Sequence, residues 1–449
     1  MRWGSKRRVA ALGGLLLVAA LPLSGPAVSS TNGLAPPSPN FAIGNPQETT
    51  AGAAGCAASN GVSEPIVKVA ADDSLVLASE NGLGTGTEVW HQANALGGTG
   101  ASACDLTYAG QPNTLVPAVG KIGLSGGDVD LAIAPVALAS GGYRMYMVST
   151  GGGNLALSHS EDNGASWITA YKVPAVDIAD RPFITSWGQS TAVAVVHGDL
   201  QESVLRTDDG GVTWNAVAPS PGEGEYGFIA ADTHSTDGIV GGPNGEPGFY
   251  LYQPSEAGVA VSNDGGFSWE LRNIGCGFLA GNQFPTVSVA PDGSAWVAWS
   301  DSTDIHVAVS RLHGRKWTCN TTRIAAGVDK AVMPAMVATS NGVDLAYYGA
   351  AAGTQFWNLF FVQSPANDVT KWTAPEAIIG VHTGEPCQDG IACTGGRQLY
   401  DDFGIDVDSQ GWAHITFSHD GPPSATSGEA SSGTGYAVQT GGHAVGGHG

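Results

Sequence analysis

The stretch Ser262-Asn-Asp-Gly-Gly-Phe-Ser-Trp269 decides the fold, because the same pattern recurs along the chain. The pattern is Ser or Thr, any residue, Asp, any residue, Gly, two further residues and Trp. The residues that define the pattern in its three complete copies are Ser160, Asp162, Gly164 and Trp167, then Thr207, Asp209, Gly211 and Trp214, then Ser262, Asp264, Gly266 and Trp269. A copy without the Asp runs from Ser310 to Trp317, and a weaker one ends at Trp372. The chain is therefore built from an internal repeat.

Each copy has the chemistry of a tight turn between two antiparallel strands. The Asp side chain can accept hydrogen bonds from backbone N–H groups of the turn, and the Gly can adopt the positive φ that the tightest point requires. The Trp can then pack back on the hairpin and bury a large apolar area. Alternating apolar residues lead into the copies, as in 258–262 and 305–310. The motif therefore predicts a hairpin that is repeated along the chain.

The three complete copies begin 47 and 55 residues apart. In residue types and spacing they resemble the Asp-box, or bacterial neuraminidase repeat, superfamily of sialidase-like β-propellers. The resemblance in fold covers about residues 60–440. It implies that each copy lies on the turn between the third and fourth strands of a propeller blade.

A second repeated element predicts the number of blades. Seven segments begin an extended strand, often at X-Pro, and they are Glu64-Pro65, Asp130-Leu131, Arg181-Pro182, Gly227-Phe228, Phe284-Pro285, Met333-Pro334 and Asp402-Phe403. We expect an all-β fold with a single β-propeller of seven four-stranded antiparallel blades. Six blades, with one N-terminal unit outside the ring, is the alternative. The last unit lacks an obvious fourth strand, which residues 48–58 are expected to supply.

Composition agrees with an all-β chain and indicates where the protein works. Of 449 residues, 66 are Gly and 25 are Pro, and only 13% are charged, which argues against a helical bundle. Basic residues followed by an apolar run predict a secretory signal peptide over residues 1–29. We expect a Pro/Ser-rich linker at 30–47, the propeller at 48–440 and a flexible Gly/His tail at 441–449. The protein is thus predicted to be secreted.

Cysteine content predicts disulfides, and the net charge excludes some classes of binding partner. Six cysteines in an exported chain predict disulfides, and the simplest pairs among many connectivities are Cys56–Cys104, Cys276–Cys319 and Cys387–Cys393. Acidic residues outnumber basic ones 40 to 18, so phosphate backbones and anionic membrane surfaces are repelled. We therefore expect no nucleic acid, no membrane insertion, and a monomer that binds a glycan or an extracellular protein.

The starts of the predicted inner strands place acidic side chains at one mouth of the central channel. The candidates for ligand binding at this rim are Glu64, Asp130, Asp180 and Gln283. Clustered carboxylates can bind Ca²⁺ through oxygen ligands, but a solvated rim without a ligand explains the same residues. No metal and no cofactor is predicted, and Ca²⁺ at the rim is the alternative.

The resemblance implies a test for sialidase activity. Sialidases hold the substrate carboxylate with three arginines, the first in a Phe/Tyr-Arg-Ile-Pro motif, and use a Tyr/Glu nucleophile and an Asp acid/base. At the equivalent place this chain reads Ser63-Glu64-Pro65-Ile66, so an acid replaces the first arginine. The catalytic candidates that remain are Arg181 and Arg397 for a carboxylate, Tyr400 as nucleophile, and Asp401 or Asp402 as acid/base. An acidic rim would also repel an anionic sugar.

The sequence therefore favours a secreted, sialidase-like propeller that is a non-catalytic binding or scaffold module for a glycan or protein ligand. The alternative is a glycoside hydrolase, either a divergent exo-α-sialidase or a neutral-glycan enzyme. A neutral-glycan enzyme would need a pair of carboxylates, such as Asp130 with Asp402. Whether the chain is an enzyme stays open, because a fold does not carry a function by itself.

Overall fold

The computed structural model describes residues 33–48, 56, 58–82, 85–113, 126–151, 154–170, 180–197, 202–221, 227–278, 285–387, 399, 401–420 and 433–447. Within these ranges the chain forms 28 β-strands in seven antiparallel sheets of four strands each, and no α-helix. The fold is a seven-bladed β-propeller. The prediction of seven blades is confirmed, and the six-bladed alternative is wrong. The predicted signal peptide lies outside the described residues, and within them no helix has the length and apolarity to span a membrane.

Each blade runs from an innermost to an outermost strand. Strand β1 (Phe41–Gly44) precedes the first blade. The first three blades consist of β2 (Ser63–Val69), β3 (Leu75–Glu80), β4 (Glu88–Gln92) and β5 (Thr107–Gly110); β6 (Val129–Ile133), β7 (Met145–Gly151), β8 (Asn154–Ser160) and β9 (Ile168–Thr169); and β10 (Asp180–Trp187), β11 (Thr191–His197), β12 (Ser203–Thr207) and β13 (Asn215–Ala216).

The next three blades follow the same order. They consist of β14 (Ala230–Asp232), β15 (Tyr250–Ser255), β16 (Gly258–Ser262) and β17 (Glu270–Arg272); β18 (Thr286–Val289), β19 (Ala295–Ser300), β20 (Ile305–Ser310) and β21 (Thr318–Cys319); and β22 (Lys330–Ala338), β23 (Gly342–Ala350), β24 (Phe356–Pro365) and β25 (Glu376–Thr383). The seventh blade consists of β26 (Ile405–Val407), β27 (Ala413–His419), β28 (Gly433–Gln439) and β1. The first strands contact one another in a closed circle, in the order β2, β6, β10, β14, β18, β22, β26 and β2 again.

The hydrophobic core lies between neighbouring blades. Every residue of β19 is buried, because this strand is covered on both faces. Its Trp296 belongs to the core shared with the sixth blade, and its Trp299 belongs to the core shared with the fourth blade. Side chains alternate between the two faces of a strand, so one strand contributes to two cores. This arrangement explains the low charge of the chain.

The repeated motif forms turns between third and fourth strands, as the resemblance implies. In the third blade, Thr207 Oγ1 donates to Asp209 Oδ1 (2.8 Å) and accepts from the Gly211 N–H (3.0 Å), while Asp209 Oδ1 accepts from the Thr213 N–H (2.9 Å). The other complete copies make the same bonds. The residue before the motif Gly also has a positive φ, both in the three complete copies and in the copy without the Asp. These residues are Asn163, Gly210, Gly265 and His313. Two successive left-handed residues suit a hairpin turn.

An N-terminal strand closes the ring, but it comes from a different segment than predicted. Strand β1 pairs antiparallel with β28 and completes the seventh blade, whereas the sequence analysis placed this strand at 48–58. The physical reason is Phe41, which is buried and packs edge-on against Phe361 at 5.4 Å between ring centroids. The strand therefore lies inside the stretch predicted as a linker.

The two ends of the described chain pack onto the propeller. Before β1, the Ser38 N–H donates to Ile378 O (2.7 Å), so the N-terminal segment crosses the edge of the sixth blade before it joins the seventh. The described part of the predicted tail, 441–447, also packs: Val445 is buried, and its carbonyl accepts from Thr339 Oγ1 (2.9 Å). This packing differs from the expected linker and flexible tail.

Two predicted disulfides are confirmed. Cys56–Cys104 joins the segment after β1 to the first blade, and Cys276–Cys319 joins the fourth and fifth blades. Cys387 is disulfide-bonded as well, but its predicted partner Cys393 lies outside the described residues. Disulfides thus fasten the N-terminal segment and one seam between blades.

Candidate functional site

Three first strands begin with the same strained bulge. Glu64, Arg181 and Met333 have φ values of 45°, 45° and 53°, although each has a side chain and each precedes a proline. The pairing register of β2, β10 and β22 shifts at these points. A left-handed residue of this kind is costly and persists where surrounding contacts hold it. Met333 is held in the core between blades, whereas Glu64 and Arg181 lie among carboxylates at the channel mouth.

Carboxyl groups from the first three blades form a hydrogen-bonded row at this mouth. Oxygen atoms of Glu64, Glu80 and Asp128 all lie within 4.8 Å of one another. Glu64 hydrogen-bonds with Glu80 and with Asp128, and Asp128 hydrogen-bonds with Asp180. Two carboxyl groups can bond in this way only when one of them carries a proton. The row is therefore partly protonated.

The environment of each carboxyl group decides where these protons lie. Burial raises the pKa of Glu64 well above its usual value, and the charges of Glu80, Asp128 and Asp401 add to this effect. Burial and the hydrogen bond to Asp128 raise the pKa of Asp180 to about 6. Burial alone would raise the pKa of Asp128 too, but bonds from Asp180 and from the Arg181 N–H (2.8 Å) lower it. Asp128 is thus the carboxylate that its neighbours stabilise.

The seventh blade brings two further acids to the mouth. The Asp401 N–H donates to Glu64 Oε1 at 3.2 Å. Burial raises the pKa of Asp402 to about 8; the charge of Arg181 opposes this rise, and the charges of Asp128 and Asp401 add to it. At neutral pH the Asp402 carboxyl group therefore holds a proton.

A single described arginine faces this group of acids. Arg181 is buried, and its charge favours the ionised forms of the acids around it. It contributes to the lowered pKa of Asp128 and opposes the rise in the pKa values of Asp180, Asp402 and Glu202. Glu202 is buried beside it, and burial raises its pKa even though the imidazole of His197 lies 2.9 Å away. Acidic groups outnumber this guanidinium, so the mouth is acidic.

Asp130, predicted to lie at the rim, hydrogen-bonds to the backbone of two blades. It is buried, its Oδ1 accepts from the Leu131 N–H and its Oδ2 from the Ile184 N–H, both at 2.8 Å. Burial raises its pKa to about 7, against the lowering effect of Lys68 and of these two N–H groups. Asp130 therefore links the first strands of the second and third blades. It lies close enough to Asp402 to raise the pKa of that residue, but both of its oxygens already bind backbone.

The structure brings most of the predicted site together. Glu64, Asp180, Arg181, Asp401 and Asp402 lie at one mouth, as the strand starts indicated. Three candidates lie outside the described residues, namely Gln283, Arg397 and Tyr400. Sequence reasoning missed Glu80, His197 and Glu202. Their signal was position, because Glu80 and His197 end the second strands of their blades and Glu202 directly precedes a third strand.

The remaining described arginines lie away from the mouth. Arg206 sits in a motif turn, where it binds Asp208 and donates to Gly265 O at 2.8 Å. Four others donate to carboxylates or carbonyls of turns, loops and outer strands, namely Arg144, Arg272, Arg311 and Arg323. Within the described ranges, three arginines therefore do not converge on one ligand position.

Oxygen ligands for a cation are present but few. Glu64, Glu80 and Asp128 offer one oxygen each within 4.8 Å of one another. Ca²⁺ takes roughly six to eight oxygen ligands, so these three would supply at most half of a coordination shell. Their mutual hydrogen bonds show that protons can bridge the same oxygens.

Comparison with known proteins finds matches among solved structures only. No protein-family model and no curated protein matches it. A GH74 xyloglucanase from Xanthomonas campestris is 15% identical with a TM-score of 0.49, and 81% of this chain and 53% of that chain are covered. The structure titled YCF48 bound to D1 peptide is 13% identical with a TM-score of 0.46, covering 92% and 100%. A Hadza microbial sialidase is 13% identical with a TM-score of 0.40, covering 83% and 74%.

These likenesses concern fold alone. The chain spans about half the length of the xyloglucanase that it matches. The matched structures include GH74 enzymes and sialidases. By its own blade topology the protein is a seven-bladed β-propeller.

Proposed function

We propose that the protein is a secreted, monomeric and non-catalytic binding module. Its acidic channel mouth would take a neutral glycan or a protein ligand without negative charge. The observation that carries this proposal is the pairing of one buried arginine, Arg181, with the carboxyl groups of Asp128, Asp180, Asp402 and Glu202. The disulfides support an oxidising compartment.

The charge at the mouth argues against an anionic sugar. Like charges about 4 Å apart repel by about 4 kcal/mol at the effective dielectric constant of about 20 that suits a protein surface. The Arg181 charge is already engaged by its acidic neighbours, so it would offer a sialic acid carboxylate little net attraction. Sugar hydroxyls and ammonium groups donate hydrogen bonds, and the row of Glu64, Glu80 and Asp128 offers acceptors.

Binding measurements on matched ligands test the proposal. Isothermal titration calorimetry would compare lactose-type neutral oligosaccharides, a Lys-rich peptide and sialyllactose. We expect binding of a neutral or cationic ligand and none of sialyllactose. Asp128→Asn should weaken this binding, whereas Asp237→Asn, which changes an exposed acid away from the mouth, should leave it unchanged. Preferential binding of sialyllactose would refute the proposal.

A second candidate is a hydrolase of neutral glycans. It is favoured by the raised pKa values of Asp402, about 8, and Asp180, about 6, because a general acid must hold its proton near neutral pH. The test is release of 4-methylumbelliferone from a panel of neutral glycosides and sialosides. Turnover of a neutral glycoside that disappears in Asp402→Asn would establish the hydrolase. No turnover across the panel would exclude it and leave the binding module.

A further inference from the structure

The motif turn of the fifth blade, residues 310–317, reverses the charge of the other motif turns. Each of the three complete copies carries one or two acidic residues and no lysine or arginine. The fifth-blade turn carries Arg311, Arg315 and Lys316 and no acidic residue. The chain as a whole has a net charge of −22, so this cluster of cations is a local exception. A departure from a repeated pattern of this kind is expected where a functional requirement acts.

The shape of this turn did not require the change. Ser310 Oγ accepts from the Gly314 N–H at 2.9 Å, and His313 and Gly314 have φ values of 50° and 77°, as in the complete copies. Leu312 stands at the position of the motif Asp, which accepts hydrogen bonds from the turn in every complete copy. A leucine side chain accepts none. The fifth-blade turn therefore keeps the conformation of the motif and gives up hydrogen bonds that support it.

The side chains that replace the acidic ones face solvent. Leu312 is 55% exposed, and Arg311, Arg315 and Lys316 are exposed as well. In the part of the chain that the structure describes, none of these three cations forms an ion pair, and Arg311 donates to the carbonyl of Asn367 at 3.0 Å. The turn thus presents an apolar side chain that is flanked by cations without an acidic partner.

The acids beside the turn are held by other groups. Glu270 pairs with Arg272 at 2.7 Å, and the hydrogen bond from Arg272 is the main cause of the lowered pKa of Glu270, to which the charge of Arg315 adds least. Asp237 Oδ2 lies 3.3 Å from His313 Nε2. These two acids therefore leave the cations of the turn largely uncompensated.

The fifth-blade turn lies at the end of the propeller opposite the acidic mouth. Strands β18 and β20 both pair antiparallel with β19 and so run in the same direction. The turn after β20 therefore lies where β18 ends, whereas the mouth lies where the first strands begin. The six residues of β19 span about 20 Å, which is about two Debye lengths at physiological ionic strength. Salt therefore screens a ligand at this turn from the carboxyl groups of the mouth.

We propose that the fifth-blade turn is a docking surface for an acidic peptide segment of a protein partner. Carboxylates of the partner would bind Arg311, Arg315 and Lys316, and an apolar side chain would cover Leu312. Guanidinium groups present paired N–H donors that match a carboxylate, and arginine is enriched at protein interfaces. The exposed leucine favours a peptide over an anionic polysaccharide, because a peptide can carry apolar side chains beside its acids. The surface is separate from the mouth and does not depend on the ligand bound there.

The probe is a rhodamine-labelled peptide of glutamate and leucine residues, and its counterpart has glutamine in place of every glutamate. Fluorescence anisotropy with the full chain at physiological ionic strength should show binding of the acidic peptide. The glutamine peptide should bind at least about tenfold more weakly, because it lacks the charges that complement the turn.

Charge removal at the turn should weaken this binding. The double variant Arg315→Gln with Lys316→Gln should lose about tenfold in affinity, because each exposed ion pair contributes up to about a factor of five. The matched control is Arg323→Gln with Lys330→Gln, which removes the same charge. Arg323 donates to the carbonyl of Thr303, between β19 and β20, and Lys330 begins β22, so both lie at the mouth end. The control should bind the acidic peptide as the wild type does.

Substitutions of Leu312 separate docking from folding. Leu312→Ala should weaken binding of the acidic peptide about threefold through lost apolar contact. Leu312→Asp should weaken it further, because its carboxylate repels those of the peptide, yet thermal unfolding should show this variant to be at least as stable as the wild type. Its aspartate can accept the hydrogen bonds that the complete copies make. Lost binding in a variant of undiminished stability would support a docking role.

Four results would overturn the proposal. Three are absence of binding at millimolar peptide concentration, equal affinity for the acidic and the glutamine peptide, and equal affinity in the wild type and the variant Arg315→Gln with Lys316→Gln. The fourth uses chondroitin sulfate as a second probe. If it bound this turn more tightly than the acidic peptide and Leu312→Ala left its affinity unchanged, the occupant would be an anionic polysaccharide and not a peptide.

Discussion

The carboxylate of Asp406 in the last blade accepts a hydrogen bond from the backbone N–H of Val69 in the first blade, at 2.8 Å. Its second oxygen accepts from the Val407 N–H at 2.9 Å. Both bonds lie on the inner side of the seam where the ring closes, while β1 closes the same blade on its outer side. The last blade is therefore held near the channel by the Asp406 hydrogen bond and at its outer edge by strand β1.

Removing the inner link should destabilise the ring. Asp406→Ala leaves the Val69 N–H buried without its acceptor, and we expect the free energy of unfolding to fall by about 1–3 kcal/mol. Equilibrium unfolding in urea, followed by tryptophan fluorescence, measures this change. Asp329→Ala, at an exposed acid, is the control and should change stability by less than about 0.5 kcal/mol. Equal stability of both variants would show that the link contributes nothing.

The outer fastening depends on a disulfide. Cys56–Cys104 and Cys276–Cys319 span 48 and 43 residues, so removing either pair should cost a similar amount, about 2–4 kcal/mol. The two variants should differ in which part of the chain becomes accessible to protease. The double variant Cys56→Ser with Cys104→Ser frees the segment after β1, so limited proteolysis should remove the N-terminal strand first. The variant without Cys276–Cys319 should keep that strand protected. Identical cleavage patterns would contradict this role.

The blades could be predicted from sequence because their turns depend on neighbouring residues. Contacts between distant segments could not be predicted in this way. The motif turns need only neighbouring residues, such as Thr207 with Asp209, so their positions follow from the pattern. Strand β1 escaped prediction because its partner, β28, lies at the other end of the chain. The N-terminal Phe41 has no local pattern that reveals its contact with Phe361.

The same distinction separates the predicted from the missed site residues. Acids at first-strand starts, such as Glu64 and Asp402, were found because the strand start fixes their end of the channel. Glu202 was missed because it precedes a third strand, and its closeness to Arg181 at the start of a first strand is a tertiary contact. The bond from the Ile184 N–H in the next blade to Asp130 has no sequence signature.

Asp344 should make stability depend on pH. Burial raises its pKa to about 8, although Gln363 Nε2 donates to its Oδ1 at 2.9 Å. The folded state therefore binds this proton more tightly than the unfolded state, whose carboxyl group titrates near 4. The resulting stability is complete below pH 4 and is lost as pH rises toward 8, by up to about 1.4 kcal/mol per pH unit.

The variant Asp344→Asn tests this dependence, because an amide has the same shape and no charge. Relative to wild type, it should gain stability steadily between pH 5 and pH 8 in urea unfolding. At pH 4 the two proteins should differ little in pH slope. Asp329→Asn, at an exposed site, should follow the wild type throughout. Parallel curves for Asp344→Asn and wild type would contradict a raised pKa at this position.

Restoring the missing Asp of the incomplete motif copy in the fifth blade should stabilise the protein. Leu312, which is 55% exposed, stands where the complete copies have Asp. Ser310 Oγ still accepts from the Gly314 N–H at 2.9 Å, so the turn already has the required shape. Leu312→Asp should therefore accept bonds from Ser310 Oγ and the Lys316 N–H and raise the free energy of unfolding by about 0.5–1.5 kcal/mol.

Two further variants separate this effect from the loss of an exposed apolar side chain. Leu312→Ala removes the same apolar group without adding an acceptor, so it should stay within about 0.5 kcal/mol of the wild type. Asp264→Ala breaks the equivalent bonds in a complete copy, where Asp264 Oδ1 accepts from the Ser268 N–H at 2.9 Å, and should lose about 1–2 kcal/mol. If Leu312→Asp and Leu312→Ala were equally stable in urea unfolding, the Asp of the motif would stabilise these turns through something other than its hydrogen bonds.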